Sequence, residues 1–344
     1  MAVTARDVAK KAGVSPAAAS LVFRGKPGVG DETRERVLAV AREMGFEYSA
    51  PSEVRRTSTL QLIIYKKHGK VVSETPFFEQ LTKGVSDETY RLGYHRLSIS
   101  YFYAAEHPSE QLKSLRSTKC AGIILLATEM RATDVAQFER LGVPVVLLDG
   151  WFPSKRNDSV VIDNQRGAWQ ATQYLISQGH RDVGYLNSNV DIRNFLERRD
   201  GYLSAMRSLG QKDFDPAKAI VRVGTTIESA FDDMSAYLAT GPDLPTAFFA
   251  DNDIIAAGCM RALAKAGIRV PEDVSIVGFD DMPICQLVYP SLTTMAVPKA
   301  SMGALAVQRL VALIKGETTG ESVRICVLPE LVSRESVIKL PANA

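Results

Sequence analysis

The chain is 344 residues long, too many for one ordinary hydrophobic core, so two or three packed units are expected. At 46% hydrophobic and 23% charged residues it has the balance of a soluble globular protein, which excludes a disordered or membrane-embedded chain. A net charge of +2 announces no nucleic-acid partner by itself, but it is uneven: residues 1–56 hold ten Lys/Arg against seven Asp/Glu, and the rest 31 against 32.

The opening MAVTARDVAK has no apolar core for a secretion signal, and no run approaches a membrane span, so a cytoplasmic location is expected. Thr4–Arg24, TARDVAKKAGVSPAAASLVFR, then reads as two short helices joined by a tight turn. Thr4 with Asp7 forms an approximate capping box, and Val8, Ala9 and Ala12 share one face. Gly13 lets the first helix stop; Ser15 followed by Pro16 restarts the chain as cap and first helical residue. In the second helix Ala19, Val22 and Phe23 point inward, leaving Pro16, Ala17, Ser20, Leu21 and Arg24 outside. That small, nearly uncharged face, flanked by Lys10, Lys11, Arg24 and Lys26, suits a DNA major groove. On this stretch alone an ordinary helical hairpin would read the same. A third helix is expected over Asp31–Met44, with Val37, Val40, Ala41 and Met44 at helical spacing and Gly45 as its stop.

Residues 47–59, EYSAPSEVRRTST, are polar and interrupted by Pro51, the composition of a linker. From Leu60 onward the texture changes. Short apolar runs (Leu60–Tyr65, Arg96–Tyr101, Ala121–Ala127, Val143–Asp149, Val183–Asn187, Ala219–Val223, Thr246–Asp251, Val274–Asp280) alternate with amphipathic stretches such as Phe77–Leu92, Ile254–Ala266 and Met302–Ile314. Nearly solid apolar strands alternating with helices mean parallel sheets covered on both faces. There are too many strands for one compact sheet, so two lobes are expected, changing over near Val160–Gly167.

The strands share polar ends: Asp149, Asn187, Asn252 with Asp253, and Asp280 with Asp281. Open parallel sheets bind ligands just beyond the carboxyl ends of their strands, and acids and amides gathered there can bond several hydroxyls at once. The alternative is that each caps the next helix. Asp253 and Asp281 suit that role; Asn252 and Asp280, one residue earlier, suit a ligand. Cys120, Cys259, Cys285 and Cys326 are scattered without metal spacing and read as buried free thiols, so neither disulfide nor zinc is expected. His68, His95, His107 and His180 are not grouped, and no dinucleotide fingerprint, phosphate loop or nucleophile elbow is present. An enzyme is therefore not expected, nor a cofactor.

The chain resembles the lactose-repressor (LacI/GalR) family of bacterial transcription regulators. The blocks that carry this are DVAKKAGVS and DETRERVLAVAREMGF near the start, then TPFF (75–78), CAGIIL (120–125), VPVVLLD, VVIDNQRGA (160–168), ERRDGY (197–202), PTAFFADND, GIRVPEDVSIVGFDD (267–281) and LPELVSRES (328–336). The resemblance implies an α/β fold: a two-lobed, periplasmic-binding-protein-like core of doubly wound parallel sheets preceded by an all-α helix-turn-helix domain. It implies a DNA-binding domain at 1–46, a hinge at 47–59, an N-lobe of 60–161 plus 292–323, and a C-lobe of 162–291 plus 324–340. It also implies a homodimer on a near-palindromic operator, with no membrane partner and a saccharide-like effector between the lobes. DNA contacts carry over to Thr4, Ser15, Pro16, Ala17, Ser20, Leu21, Arg24, Thr33, Arg34 and, from the hinge, Val54 and Arg55. Effector contacts carry over to Phe77, Phe78, Asp149, Arg198, Asn252 and Asp280, although core packing is an alternative for either phenylalanine. The chain departs from the family at Leu21, where a polar base reader is usual, at Pro51 inside the hinge, and at Thr225–Thr226, where a missing aromatic would open the cleft. A cytoplasmic sugar-binding module without DNA regulation is the second reading.

Overall fold

The structure is a computed structural model and describes residues 3–23, 28–46, 59–72, 76–210 and 214–341. Arg24, Val54, Arg55 and the Pro51 segment lie outside the described residues.

Three helices make the first unit: α1 (Ala5–Lys11), α2 (Pro16–Phe23) and α3 (Asp31–Glu43). The side chain of Asp7 accepts the Thr4 N–H at 2.9 Å while the Thr4 hydroxyl accepts the Asp7 N–H, closing the expected capping box. Gly13 adopts φ +68°, which lets α1 end, and Ser15 Oγ accepts the Ala18 N–H at 3.1 Å to start α2. Val8, Ala9, Ala12, Ala19, Val22, Phe23, Val37 and Ala41 bury themselves together between the helices. Lys11 ties α1 to α3 through Glu43 at 2.8 Å.

From Thr59 two six-stranded sheets follow. The first holds β1 (Thr59–Lys66), β2 (Arg96–Tyr103), β3 (Gly122–Leu126), β4 (Val145–Leu148), β5 (Asp158–Ile162) and β11 (Arg324–Val327), in the order β11-β5-β4-β3-β1-β2 and all parallel. The second holds β6 (Val183–Ser188), β7 (Ile220–Val223), β8 (Ala247–Ala250), β9 (Ser275–Asp280), β10 (Thr293–Ala296) and β12 (Glu330–Val332), in the order β12-β10-β9-β8-β6-β7; only β12 runs antiparallel. Helices cover these sheets: α4 (Pro76–Arg91), α5 (Pro108–Ser117), α6 (Ala132–Glu139), α7 (Asn164–Ser177), α8 (Arg193–Ser208), α9 (Pro216–Ala219), α10 (Ile227–Ala239), α11 (Asp253–Lys265) and α12 (Lys299–Lys315).

The apolar runs explain this layering. Along β1, Leu60, Leu62 and Ile64 join one core cluster while Ile63 and Tyr65 join another, so a strand with no polar face feeds cores on both sides of its sheet. Strand β2 departs from that expectation. As an edge strand it leaves Ile99, Tyr101 and Tyr103 exposed.

The chain crosses between the sheets three times, and the last two crossings fall later than the expected 292 and 324. Thr293–Ala296 still pairs with β9, and Arg324–Val327 pairs with β5, because each four-residue segment extends a sheet whose next hydrogen-bonding row is open to it. The thiols also need correction. Cys259 and Cys285 are buried, but Cys326, on the outer strand β11, is exposed. Among the described residues no helix is long and apolar enough to cross a membrane, and no group of side chains could hold a metal ion.

Candidate functional site

The carboxyl ends of strands from both sheets open on one cavity of about 650 Å³, a volume typical of small-molecule sites. Phe77, Phe78 and Asp149 reach it from the first sheet's side; Arg198, Asn252 and Asp280 reach it from the second. The structure thus brings all six together.

Asp149 follows β4 and Asp280 ends β9, and both have positive φ, +56° and +110°. Such backbone is uncommon for a side-chain-bearing residue and persists where its surroundings over-determine it. At Asp149 those surroundings are visible. Oδ2 accepts from Thr128 Oγ1 at 2.6 Å, and Oδ1 accepts from Asn194 Nδ2 at 2.9 Å. Asn194 lies on α8, so the second bond crosses from one lobe to the other. Burial pushes the Asp149 carboxyl up to about 6, with the Thr128 hydrogen bond and the charge of Arg198 opposing that rise.

Arg198, also on α8, is only 3% exposed. Its Nε donates to Asn164 Oδ1 at 2.9 Å, one terminal nitrogen to Asp280 Oδ1 at 3.1 Å, and the other to the Asp251 carbonyl. The guanidinium also lies 3.7 Å from the centre of the Phe279 ring. It is held in place by protein partners and in turn orients Asp280, whose carboxyl burial pushes up.

Asn252 requires a correction. Its Oδ1 accepts the Ile255 N–H at 2.9 Å, so it caps α11 while also lining the cavity. Asp253 is the wholly buried member of the pair, taking the Met282 N–H at 2.8 Å and the Thr294 hydroxyl at 2.5 Å; burial, then the charge of Asp280, push it up to about 7. Asp281 caps nothing either; it accepts from Arg334 at 2.6 Å. Phe77 and Phe78 meet edge to face at 5.0 Å and belong both to the core and to the cavity wall, so their two readings hold together. Residues 224–229 line the cavity as well, with no aromatic among them: Gly224, Thr225, Thr226, Ile227, Glu228 and Ser229. His180 is structural: its ring bonds Thr246 Oγ1 at 3.0 Å and the Ile338 carbonyl at 3.1 Å.

Sequence reasoning missed Thr128, Glu129 and Asn194. The first two follow β3 directly, where the strand-end rule points. Nothing in the charged helix around Asn194 marked it.

Of the residues expected to meet DNA, Thr4, Ser15, Pro16 and Ala17 are exposed, and Ser20, Leu21, Thr33 and Arg34 are half-buried. They lie at the start of α1, along α2 and in the first turn of α3. The hydroxyls of Thr4 and Ser15 already serve as caps, which sets how much of each is left for a partner.

Residues 4–49 match the family described as bacterial regulatory proteins, lacI family, and residues 172–337 match the periplasmic binding protein-like domain. The ribose operon repressor of Haemophilus influenzae is 30% identical over 346 residues, spanning 98% of this chain and 99% of the relative. The transcriptional repressor PurR of Pasteurella multocida is 33% identical over 340 residues, spanning 97% and 98%. Among solved structures, the transcriptional regulator CelR in complex with cellobiose superposes with a TM-score of 0.72 at 31% identity, over 97% of this chain and 99% of that one.

Proposed function

The chain belongs to the LacI family of bacterial regulatory proteins, and from that we propose a transcriptional repressor whose cleft takes a neutral, saccharide-like effector. It is a DNA-binding regulator under ligand control, not an enzyme. Its reader is assigned to residues 1–46, working as a homodimer on a near-palindromic operator in the cytoplasm. Its sensor is assigned to the two lobes, divided at residue 162 and at the two later crossings.

The observation that carries the effector class is the commitment of Arg198, through one bond from each of its three guanidinium nitrogens, to protein partners. A phosphate or carboxylate is held most strongly by cations and N–H groups with bonds to give. Here Arg198 already serves Asp280, Asn164 and Asp251, and among the described residues the acids Asp149, Asp280 and Glu228 line the same space against Lys70 as the other cation. An anion meets repulsion there. Hydroxyl groups instead find acceptors on the acids and amides and an apolar wall at Phe77, Phe78 and Phe195. The CelR neighbour was solved with cellobiose, a disaccharide, which agrees with a cavity of about 650 Å³. Effector binding shifts lobe closure, and closure changes operator affinity by a reciprocal coupling. Exposed apolar groups on both lobes, Tyr101 and Tyr103 on β2 and Leu287 and Tyr289 on the second, are the surface assigned to the partner copy.

A mobility-shift titration of the full chain on its own promoter fragment, with thermal-shift assays against cellobiose, ribose, glucose 6-phosphate and adenine, tests this. A neutral sugar should stabilise the protein and change the shift. Stabilisation by the phosphate or the base alone would discard the effector class, and no shift of any fragment at low salt would discard the DNA reading.

A further inference from the structure

Two adjacent residues beyond β3 organise the first-lobe wall of the cleft. Thr128 fixes Asp149, as described above. Glu129, whose side chain is 0% exposed, turns the other way, into the loop that follows β1. Its Oε2 accepts the backbone N–H groups of Lys67 at 2.8 Å, His68 at 3.1 Å and Gly69 at 3.0 Å. Its Oε1 accepts those of Val71 and Val72, both at 2.9 Å. Within residues 67–72 the remaining N–H, that of Lys70, goes to His68 Nδ1 at 3.2 Å.

Successive N–H groups converging on one point form a backbone nest, a concavity suited to an anion. Gly69, at φ +63°, supplies the turn that aims them inward. In this protein the anion is its own carboxylate. Burial would push Glu129 up, but the bonds from Val72, Val71, His68 and Gly69 outweigh it and hold the acid below the usual range, so it remains charged. The outer side of the same loop faces the cleft with Gly69, Lys70 and Val71. Val71 goes further and packs against Val190, Ile192 and Phe195 of the second lobe.

We propose that Glu129 is a positioning residue of the effector cleft: it holds residues 67–72 as a rigid arm resting on the second lobe and, by filling the nest, withholds those backbone N–H groups from an anionic ligand. Its meaning for ligand choice rests on the effector reading above; the anchor itself does not. With those N–H groups taken by Glu129 and by His68, the wall presents Gly69, Lys70 and Val71 to the cleft.

The arm carries its own probe, because Lys67 and Lys70 are trypsin sites. Limited trypsinolysis of the full chain, read by mass spectrometry at those two bonds, reports how often the arm opens. Glu129→Gln, which keeps the volume but not the charge, is expected to raise nicking there by about tenfold, and Glu129→Ala by more. Acetate should restore protection in Glu129→Ala by entering the vacated nest, relative to chloride at the same ionic strength, and should do nothing for wild type. Ile192→Ala, with Glu129 intact, should also raise nicking after Lys70 because the arm loses its landing. Wild-type nicking in Glu129→Ala, or its indifference to acetate, would overturn the anchor. Unchanged nicking in Ile192→Ala would overturn the contact between lobes. Acceleration spread evenly over 76–341 would mark Glu129 as a general fold residue and overturn the proposal as a whole. None of these readouts needs an effector, so their failure is separate from failure of the saccharide assignment.

Discussion

Trp151 and Glu197 join the two lobes: the indole N–H donates to Glu197 Oε1 at 2.9 Å. Glu197 also accepts from Arg193 Nε at 2.9 Å and from Asn164 Nδ2 at 3.3 Å, and Asn164 in turn accepts from Arg198. The indole lies between two guanidinium groups, that of Arg193 at 3.8 Å and that of Arg324 on β11 at 3.9 Å. Both contacts are within cation–π range, and they come from opposite lobes. One hydrogen-bonded chain therefore runs from the effector-facing Asp280 to the indole beside the crossing strands.

That chain should carry part of the coupling between cleft and lobes. Glu197→Gln leaves one of three donors facing an amide N–H, and each lost charge-assisted bond is worth about 1.5–3 kcal/mol. The effector-induced change in operator affinity should shrink by about 3- to 30-fold, at the level of one coupling interaction. Emission from Trp151, isolated in a Trp169→Phe background, should shift at the same time, since these are the two tryptophans of the chain. An unaltered operator response in Glu197→Gln would leave the chain without a role in coupling.

The buried acid at Asp149 gives a pH dependence with a definite sign. Its folded carboxyl is pushed up to about 6 from an ordinary 3.8, first by burial, so the folded state holds its proton more tightly than the unfolded state. Its contribution to stability is then fully present below about pH 4 and lost as pH rises through about 6. Asp149→Asn removes that titration while Asn194 can turn its amide to suit the new partner. In thermal unfolding from pH 4 to 7, the variant should gain on wild type as pH rises. Parallel profiles would mean that Asp149 titrates alike in both states.

Helices α4 and α12 approach through Gly84 and Gly303, and a Cβ on either would overlap backbone of the facing helix: the Ala300 carbonyl oxygen for Gly84, the Leu81 carbonyl oxygen for Gly303. Backbone cannot yield as a side-chain tip can. Gly84→Ala should therefore destabilise the chain by about 1–3 kcal/mol in urea, against the small gain that Gly→Ala gives at an open helical site. A stabilised variant would show that the two helices are less closely packed than described.

Much of this arrangement was legible in the sequence, for identifiable reasons. Runs such as LQLIIY and GIILL read as doubly covered strands because both of their faces are apolar, and polar residues at strand ends pointed to the cleft. What escaped was decided by contacts remote in sequence. β10, β11 and β12 are three or four residues long, and their sheet is set by which edge has an open row, as at Cys326 beside Val161. Helix α8 is dense in charge, yet it buries Asn194 and Arg198 because partners on both lobes meet them there. At Asn252 the sequence favours the ligand over the cap, and the structure gives it both. No local pattern distinguishes those roles, since either needs the same amide two residues past a strand.

The outer face of α2 gives the last expectation. Leu21 is half-buried there, and its Cδ1 lies 3.7 Å from where a Cβ on Gly28 would stand, so it is the large apolar group beside exposed Pro16 and Ala17. An apolar side chain in a major groove reads the thymine methyl and neutralises no phosphate. Leu21→Ala should then weaken binding to the promoter fragment by about 5- to 100-fold, the cost of one lost base contact. The slope of log affinity against log salt should not change, because counterion release follows phosphate contacts alone. Replacing thymine by uracil across the fragment should weaken wild type toward the variant and leave the variant where it is. Arg34→Ala should behave in the opposite way, lowering the salt slope by about one with little change in base preference. Fluorescence anisotropy over a salt series separates the two. A shallower slope in Leu21→Ala, or equal sensitivity of both proteins to uracil, would remove Leu21 from the reading face.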